Sequence, residues 1–167
     1  ALTPQDMAAV DQHVRGGGRA LIFADALSSW PAAHGFGDPR NAPITSLLTP
    51  LLDHWGVELA AVPHGEGGER WVRLPDAGLR LHSAGRFTRW PKGCAALGDA
   101  YILRCQIGQG QAVLVGDADL LFAPMWQAEG WDAAHLRKSD VLLWTAQQSW
   151  GRDAGRRWLQ PIWMKAP

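Results

Sequence analysis

The stretch IGQGQAVLVGDAD, at residues 107–119, joins a glycine-rich turn to a short apolar strand and then to two aspartates. The same order occurs once more, in RGGGRALIFAD at residues 15–25. Apolar runs of this kind are typical of strands that are buried on both faces of a parallel sheet between helices. We therefore predict an α/β fold with a mainly parallel sheet flanked by helices.

Polar side chains follow both of these strands. Asp25 ends the first copy, while Asp117 and Asp119 end the second. Open α/β sheets bind ligands at the carboxyl ends of their strands, and a long loop at 26–43 leaves the first strand at that edge. We predict a ligand-binding edge formed by Asp25, Ser28, Trp30, Asp117 and Asp119.

Two interpretations of the three aspartates remain open. If the two strands are neighbours, the carboxylates of Asp25, Asp117 and Asp119 converge and are able to hold a hard cation such as Mg²⁺ or Ca²⁺. Alternatively, each aspartate caps the turn after its strand by accepting hydrogen bonds from backbone N–H groups. No cofactor is predicted, and the spacing of the histidines does not match a zinc site.

Length and charge narrow the class of protein. The 167 residues suit one α/β domain, predicted to span 1–167, and 16 basic residues balance 16 acidic ones. A neutral chain gives no support to nucleic-acid binding, so no nucleic-acid partner is predicted. No apolar run approaches the ~18–20 residues needed to cross a bilayer. The first residues, ALTP, are typical of a helix entry, so we expect a piece of a longer protein, which the resemblance described below implies is membrane-tethered.

Tryptophan is unusually frequent, with ten in the chain against one tyrosine, and large amphipathic rings suit interfaces. Four of them lie in loop-like or terminal segments and are predicted to form interfaces, including those of a homo-oligomer: Trp126, Trp131, Trp158 and Trp163. The two cysteines, Cys94 and Cys105, either form a disulfide in an oxidising compartment or are two small buried side chains.

The remaining pattern predicts helices near both ends and strands between them. One helix begins at Thr3 and ends at Gly16, and a second carries an apolar stripe over 44–55. Strands are predicted at 57–62, 70–74 and 79–82, and a β-hairpin over 101–115. A last helix, 135–150, is predicted to bury Leu136, Leu143, Ala146 and Trp150.

This order of elements resembles a known protein group. The helix ending in VRGGG, the strand ALIFAD, the helix leading to HWGVELA and the segment IGQGQAVLVGDADLL resemble the auxiliary domain of gliding-motility-type ABC transporter proteins, an uncharacterised ABC-type transport-system domain. The resemblance implies a flavodoxin-like or glutamine-amidotransferase-like Rossmann sheet, extended by an antiparallel β-hairpin. It also implies an extracytoplasmic location, transporter subunits as partners and no enzyme activity.

On this basis the predicted function is a non-catalytic accessory or partner-binding domain of a membrane transport system, with no catalytic residue. Two alternatives come from other classes of protein. One is a hydrolase-like enzyme that uses the aspartate cluster, with or without a metal, and the other is an oligomerisation module built on the tryptophans. The chain has no nucleophile in a strand-to-helix elbow, so no catalytic triad is transferred. The cytoplasm is the alternative location.

Overall fold

The structure of the chain is a computed structural model that describes residues 2–28, 33–35, 37–41, 43–63, 68–122, 125 and 140–150. Within these ranges helices lie near both ends and strands fill the middle. The elements are α1 (Pro4–Arg15), β1 (Arg19–Phe23), α2 (Thr49–His54), β2 (Glu58–Ala60), β3 (Glu69–Arg73), β4 (Gly78–His82), β5 (Arg86–Arg89), β6 (Cys94–Leu97), β7 (Ile102–Ile107), β8 (Gly110–Val115), a 3₁₀ turn (Asp119–Leu121) and α3 (Val141–Trp150).

The main sheet has four strands in the order β1-β8-β7-β6. Strands β1 and β8 pair in parallel, with Ala20 opposite Ala112, whereas β8/β7 and β7/β6 are antiparallel. Two further antiparallel ladders, β2/β5 and β3/β4, lie outside this sheet. The prediction of a mainly parallel, flavodoxin-like or amidotransferase-like sheet is therefore wrong, because one described pairing is parallel and four are antiparallel.

The apolar run of β8 misled the prediction because two cores bury both faces of the strand. Ala112 and Leu114 belong to a core beneath α1 and α2, while Val113 and Val115 belong to a core formed with β4 and α3. Burial on both faces normally accompanies parallel strands between helices. Here β3/β4 and α3 cover one face, so the same sequence pattern arises in a strand with an antiparallel neighbour.

The hairpin predicted over 101–115 is confirmed, because β7 and β8 are joined by the two residues Gly108 and Gln109. Gly108 has φ +59°, in the left-handed region that favours glycine. A Cβ atom at this position would also lie 2.8 Å from Cα of Arg15. The turn therefore needs glycine both for its backbone conformation and for its contact with the end of α1.

The predicted start of the first helix is confirmed. The Thr3 side chain accepts a hydrogen bond from the backbone N–H of Asp6, and the Asp6 carboxylate accepts one from the backbone N–H of Thr3. The second helix is shorter than predicted, because it begins at Thr49, and Ile44 and Leu47 are 66% and 54% exposed. Proline at position 50 sits in its first turn, where proline is tolerated.

The last helix also differs from its prediction. Val141 and Trp144 are buried in α3, whereas Leu143, predicted to point inward, is 37% exposed. Ala146 is buried as predicted, while Leu136 and the side chain of Trp150 lie outside the described residues. Of the helices that the structure describes, none is long and apolar enough to cross a membrane.

The two cysteines form a disulfide. Cys94 on β6 lies directly opposite Cys105 on β7 in the antiparallel register, and their sulfur atoms are bonded. Of the two alternatives left open by the sequence, the paired one is therefore found. The bond ties the outer strand of the main sheet to its neighbour.

Candidate functional site

Three aspartates meet at the carboxyl ends of β1 and β8. Asp25 follows β1, and Asp117 and Asp119 follow β8. Because these strands are parallel neighbours, their ends lie at the same edge of the sheet. One carboxylate oxygen from each residue lies within 4.8 Å of the other two. We refer to Asp25, Asp117 and Asp119 as the strand-end carboxyl cluster.

Asp117 is fully buried and organises the backbone around the cluster. Its Oδ2 atom accepts a hydrogen bond of 2.7 Å from the backbone N–H of His82, at the end of β4. Its Oδ1 atom accepts hydrogen bonds from the backbone N–H groups of Asp119, at 2.8 Å, and Leu120, at 3.3 Å. The second of these caps the 3₁₀ turn, so Asp117 has the turn-capping role that was one of the two interpretations of the sequence.

Asp25 and Asp119 are half-buried, so solvent reaches part of each side chain. The Oδ1 atom of Asp25 accepts a hydrogen bond of 2.8 Å from the backbone N–H of Ala118. The Oδ2 atom of Asp119 accepts hydrogen bonds from two hydroxyl groups, those of Ser28 at 3.1 Å and Ser83 at 3.0 Å. The two accessible carboxyl groups are therefore held in fixed orientations by their neighbours.

Burial gives the cluster unusual proton affinity. The pKa of Asp117 is raised to about 8, chiefly because the side chain is removed from water and also because Asp25 and Asp119 carry like charge, while hydrogen bonds from the backbone N–H groups of His82 and Asp119 oppose the rise. Burial also raises the pKa of Asp25, opposed by the hydrogen bond from Ala118. No described lysine or arginine forms an ion pair with these carboxyl groups. Burial and like charge therefore favour a proton held within the cluster.

A polar cavity adjoins the cluster. Asp25 lines a cavity of about 170 Å³, together with the hydroxyl-bearing side chains of Thr45, Ser46 and Thr49. Asp53 and Glu58 also line this cavity, and the rest of its lining is apolar: Ala26, Leu47, Leu52, Val57 and Leu59. The backbone N–H of Ser46 donates a hydrogen bond of 3.1 Å to the carbonyl oxygen of Asp25, which fixes this wall against the end of β1. The lining offers a polar ligand both donors and acceptors.

The structure brings together four of the five residues predicted for this edge, since Ser28 contacts Asp119 and the three aspartates converge. Trp30 lies outside the described residues, as do the four predicted interface tryptophans, Trp126, Trp131, Trp158 and Trp163. Sequence reasoning missed the contribution of Ser83 and of the His82 backbone. The sequence signal for this segment was its run of small residues at 83–85. Small residues allow the backbones to approach closely here, since the backbone N–H of Gly85 donates a hydrogen bond of 2.6 Å to the carbonyl oxygen of Gly116.

No protein-family model matches the chain, and a search of curated proteins finds no relative. Solved structures of glycoside hydrolases resemble it in part. An exo-β-1,4-mannosidase from Opitutaceae bacterium strain TAV5 is 15% identical over 93% of this chain, with a TM-score of 0.45. A GH42 β-galactosidase from G. stearothermophilus and a cold-adapted β-galactosidase from Rahnella sp. R3 are 13% and 16% identical over 70% of it, with TM-scores of 0.43 and 0.42. The chain spans about a fifth of each, at 22%, 17% and 18% of their lengths.

These findings correct three predictions. The resemblance to the auxiliary domain of an ABC transporter is contradicted, because the matching structures are glycoside hydrolases and no family model supports the transporter group. The predicted non-catalytic accessory function is contradicted with it. The expectation that the chain is not an enzyme depended on the same resemblance and is corrected too. Transporter subunits as partners rested on that resemblance alone.

Proposed function

We propose that the chain is part of a hydrolase in which the strand-end carboxyl cluster performs acid–base chemistry on a polar substrate. One observation carries this proposal: three carboxyl groups converge so that one oxygen atom of each lies within 4.8 Å of the other two, and burial raises the pKa of Asp117 among them. Hydrolysis by general acid–base catalysis needs a proton donor and a proton acceptor on the same small region of substrate. Carboxyl groups whose surroundings push their pKa values apart supply both.

The three carboxyl groups take different roles. Asp25 lines the cavity and burial raises its pKa, so we assign to it the transfer of the cluster's proton to a leaving group. Asp119 is half-buried and oriented by two hydroxyl groups, so it is the base or nucleophile. Asp117 is fully buried, so it is a positioning residue that holds the 3₁₀ turn and the end of β4 in place.

One oxygen atom from each carboxyl group lies within 4.8 Å of the other two, so a proton donor and a proton acceptor can reach the same small region of a substrate. A substrate with a polar, hydroxyl-rich body matches the donors and acceptors of the adjoining cavity.

The experiment is a hydrolysis assay with p-nitrophenyl glycosides, esters and phosphates, using the wild-type chain and the Asp119→Asn variant. We expect activity on one class of substrate and its loss in the variant, with the fold retained by circular dichroism. Asp99→Asn is the matched control, because Asp99 is exposed and lies outside the cluster. Equal activity of Asp119→Asn and wild type on the best substrate, or no hydrolysis of any class, would contradict the proposal.

A second candidate function is the binding of a hard divalent cation by the same cluster. Three carboxylate oxygens within 4.8 Å of one another match the oxygen-rich coordination that Mg²⁺ and Ca²⁺ require. Such a cation would replace the proton that the cluster holds and would polarise a substrate bound beside it. Thermal melts with added cations distinguish this candidate from metal-free acid–base chemistry.

A further inference from the structure

Among the residues that the structure describes, strand β1 is an outer strand of the main sheet. Its one strand partner among the described residues is β8, and β8 itself is flanked on both sides. Four residues of β1, from Ala20 to Phe23, are half-buried, whereas five of the six residues of β8 are fully buried. The sequence RALIF contains no proline, lysine or bulge, and its one charged residue, Arg19, stands at the end of the strand.

The backbone groups of β1 alternate between β8 and the open edge. The carbonyl oxygen of Gly18 accepts from the backbone N–H of Gln111, and the N–H of Ala24 donates to the carbonyl oxygen of Val115. The even-numbered residues of this segment, Gly18 to Ala24, therefore direct their backbone N–H and C=O groups towards β8. Because the direction alternates along a strand, Arg19, Leu21 and Phe23 direct three N–H and three C=O groups away from β8. No hydrogen bond from another described residue reaches these six groups.

We propose that β1 pairs with β1 of a second copy of this chain, in an antiparallel register centred on Leu21. In this register Leu21 faces Leu21 of the other copy, and Arg19 faces Phe23. The three residues with outward backbone groups then fall at hydrogen-bonded positions, so all six groups of each edge are paired. The two main sheets become one continuous sheet of eight strands. The contact is isologous, as the commonest dimer symmetry requires.

The side chains along β1 suit packing against the same side chains of a second copy. A groove of about 580 Å³ runs along β1 and is lined mainly by apolar residues, among them Leu2, Val10, Leu48 and Leu51. The second copy places Ala20 and Ile22 along the same groove, on the opposite face from Leu21. The two Arg19 side chains lie at opposite ends of the paired strands, so they do not oppose each other. A net charge of zero adds no repulsion between copies.

The other edge of the main sheet, β6, is a less suitable site for strand addition. It has four residues, and Pro91 and Lys92 lie shortly before it, separated from it by Gly93. Proline and lysine are the residues by which natural proteins protect their sheet edges. The pairing is thus assigned to β1, and further growth of the sheet through β6 is not expected.

The experiment measures the mass in solution of the full chain and its variants by sedimentation velocity. Wild type is expected to be a dimer at high concentration, and Leu21→Lys and Leu21→Glu are each expected to be monomers because like charges meet at the symmetry axis. A mixture of the two variants is expected to form a heterodimer, since a lysine on one copy then faces a glutamate on the other. Ile44→Lys is the control, because Ile44 is 66% exposed and lies outside β1.

The mixture makes the test independent of folding defects, since restored pairing shows that both variants fold. Slow amide exchange at Leu21 in the wild-type dimer, but not in Leu21→Lys, would also support the pairing. Wild type that stays monomeric at millimolar concentration would overturn the proposal. So would a dimer that Leu21→Lys leaves intact, because its interface would then lie elsewhere on the chain.

Discussion

The backbone N–H of Ala118 donates a hydrogen bond of 2.8 Å to Oδ1 of Asp25, joining two turns that are 93 residues apart in sequence. This bond connects the end of β1 directly to the turn that carries Asp117 and Asp119. The contacts that hold the carboxyl cluster together are therefore the same ones that close the ends of the parallel strands. Changes in the protonation of the cluster are therefore expected to change the free energy of unfolding.

Stability is expected to fall as pH rises towards about 8. The pKa of Asp117 is raised from 3.8 to about 8 in the folded chain, so folding favours the protonated form. This contribution is fully present below the ordinary pKa and is lost as pH rises through the folded value. Between the two values the unfolding free energy should fall by about 1.4 kcal/mol per pH unit. Urea denaturation across this range measures the slope.

The matching variant for this prediction is Asp117→Asn, which cannot titrate at that position. Its stability should fall less steeply with pH than that of wild type over the same range, and it should also be lower at acid pH because the amide nitrogen cannot accept a backbone hydrogen bond. A wild-type chain whose stability is level or rises from weakly acid to weakly alkaline pH would show that Asp117 is ionised in the fold.

Divalent cations are expected to stabilise the chain if the cluster binds them. A cation at 100 times its dissociation constant adds about 2.7 kcal/mol to the unfolding free energy. The effect should be larger at alkaline than at acid pH, because the cation must displace the proton held by Asp117. Thermal melts with Mg²⁺, Ca²⁺ or EDTA measure it. An equal shift in Asp119→Asn would place the bound cation away from the cluster.

Loss of the disulfide should lower stability without altering the cluster. Cys94 and Cys105 are 11 residues apart in sequence, and closing a loop of this size contributes about 3 kcal/mol in the chain-entropy model. We expect the double change of both cysteines to alanine to lower the unfolding free energy by about that amount. Reduction of wild type should have a similar effect in urea denaturation. An unchanged midpoint after complete reduction would contradict this expectation.

The disulfide between Cys94 and Cys105 also bears on the location of the protein. We propose that this location is an extracytoplasmic, oxidising compartment. Disulfides persist in such compartments and are rare in the cytosol. Thiol labelling of the protein isolated from its natural source under denaturing conditions measures the pairing. Blocked cysteines would support the proposal, and two free thiols would place the protein in a reducing compartment.

Gly110 is expected to tolerate no side chain. A Cβ atom there would overlap the carbonyl oxygens of Val14 and Gly18, which belong to the backbone and cannot move aside cheaply. Gly110→Ala should therefore cost several kcal/mol, at the upper end of the usual range for single changes. Gly35→Ala is the control, because a Cβ atom at Gly35 would meet nothing within 4 Å. Equal unfolding midpoints for the two variants would contradict the close contact between the end of α1 and β8.

Local signals in the sequence predicted the elements whose causes are local. The cap formed by Thr3 and Asp6 depends on residues three apart, and the hairpin at Gly108 depends on a two-residue turn. Both elements depend on the backbone chemistry of a few adjacent residues, which contacts with distant parts of the chain do not alter. The aspartates after β1 and β8 were identified in the same way, as polar residues that follow apolar strands.

Strand direction and the complete site could not be predicted, because they depend on partners distant in sequence. The run at 112–115 is buried on both faces whether its neighbours are parallel or antiparallel, so its pattern does not determine the pairing. Strand β5 was missed because it buries one residue of four, Phe87. Ser83 reaches Asp119 across 36 positions, and no spacing rule connects them.

The most direct test of the account follows the carboxyl carbons of the aspartates by NMR as pH is raised from acid to alkaline values. We predict that one aspartate in the wild-type chain titrates near pH 8 and that this transition is absent in Asp117→Asn. That result would establish a proton held at the ends of β1 and β8 at neutral pH. The absence of any aspartate transition near pH 8 in the wild-type chain would contradict it and would leave the cluster without the proton that the proposed hydrolysis requires.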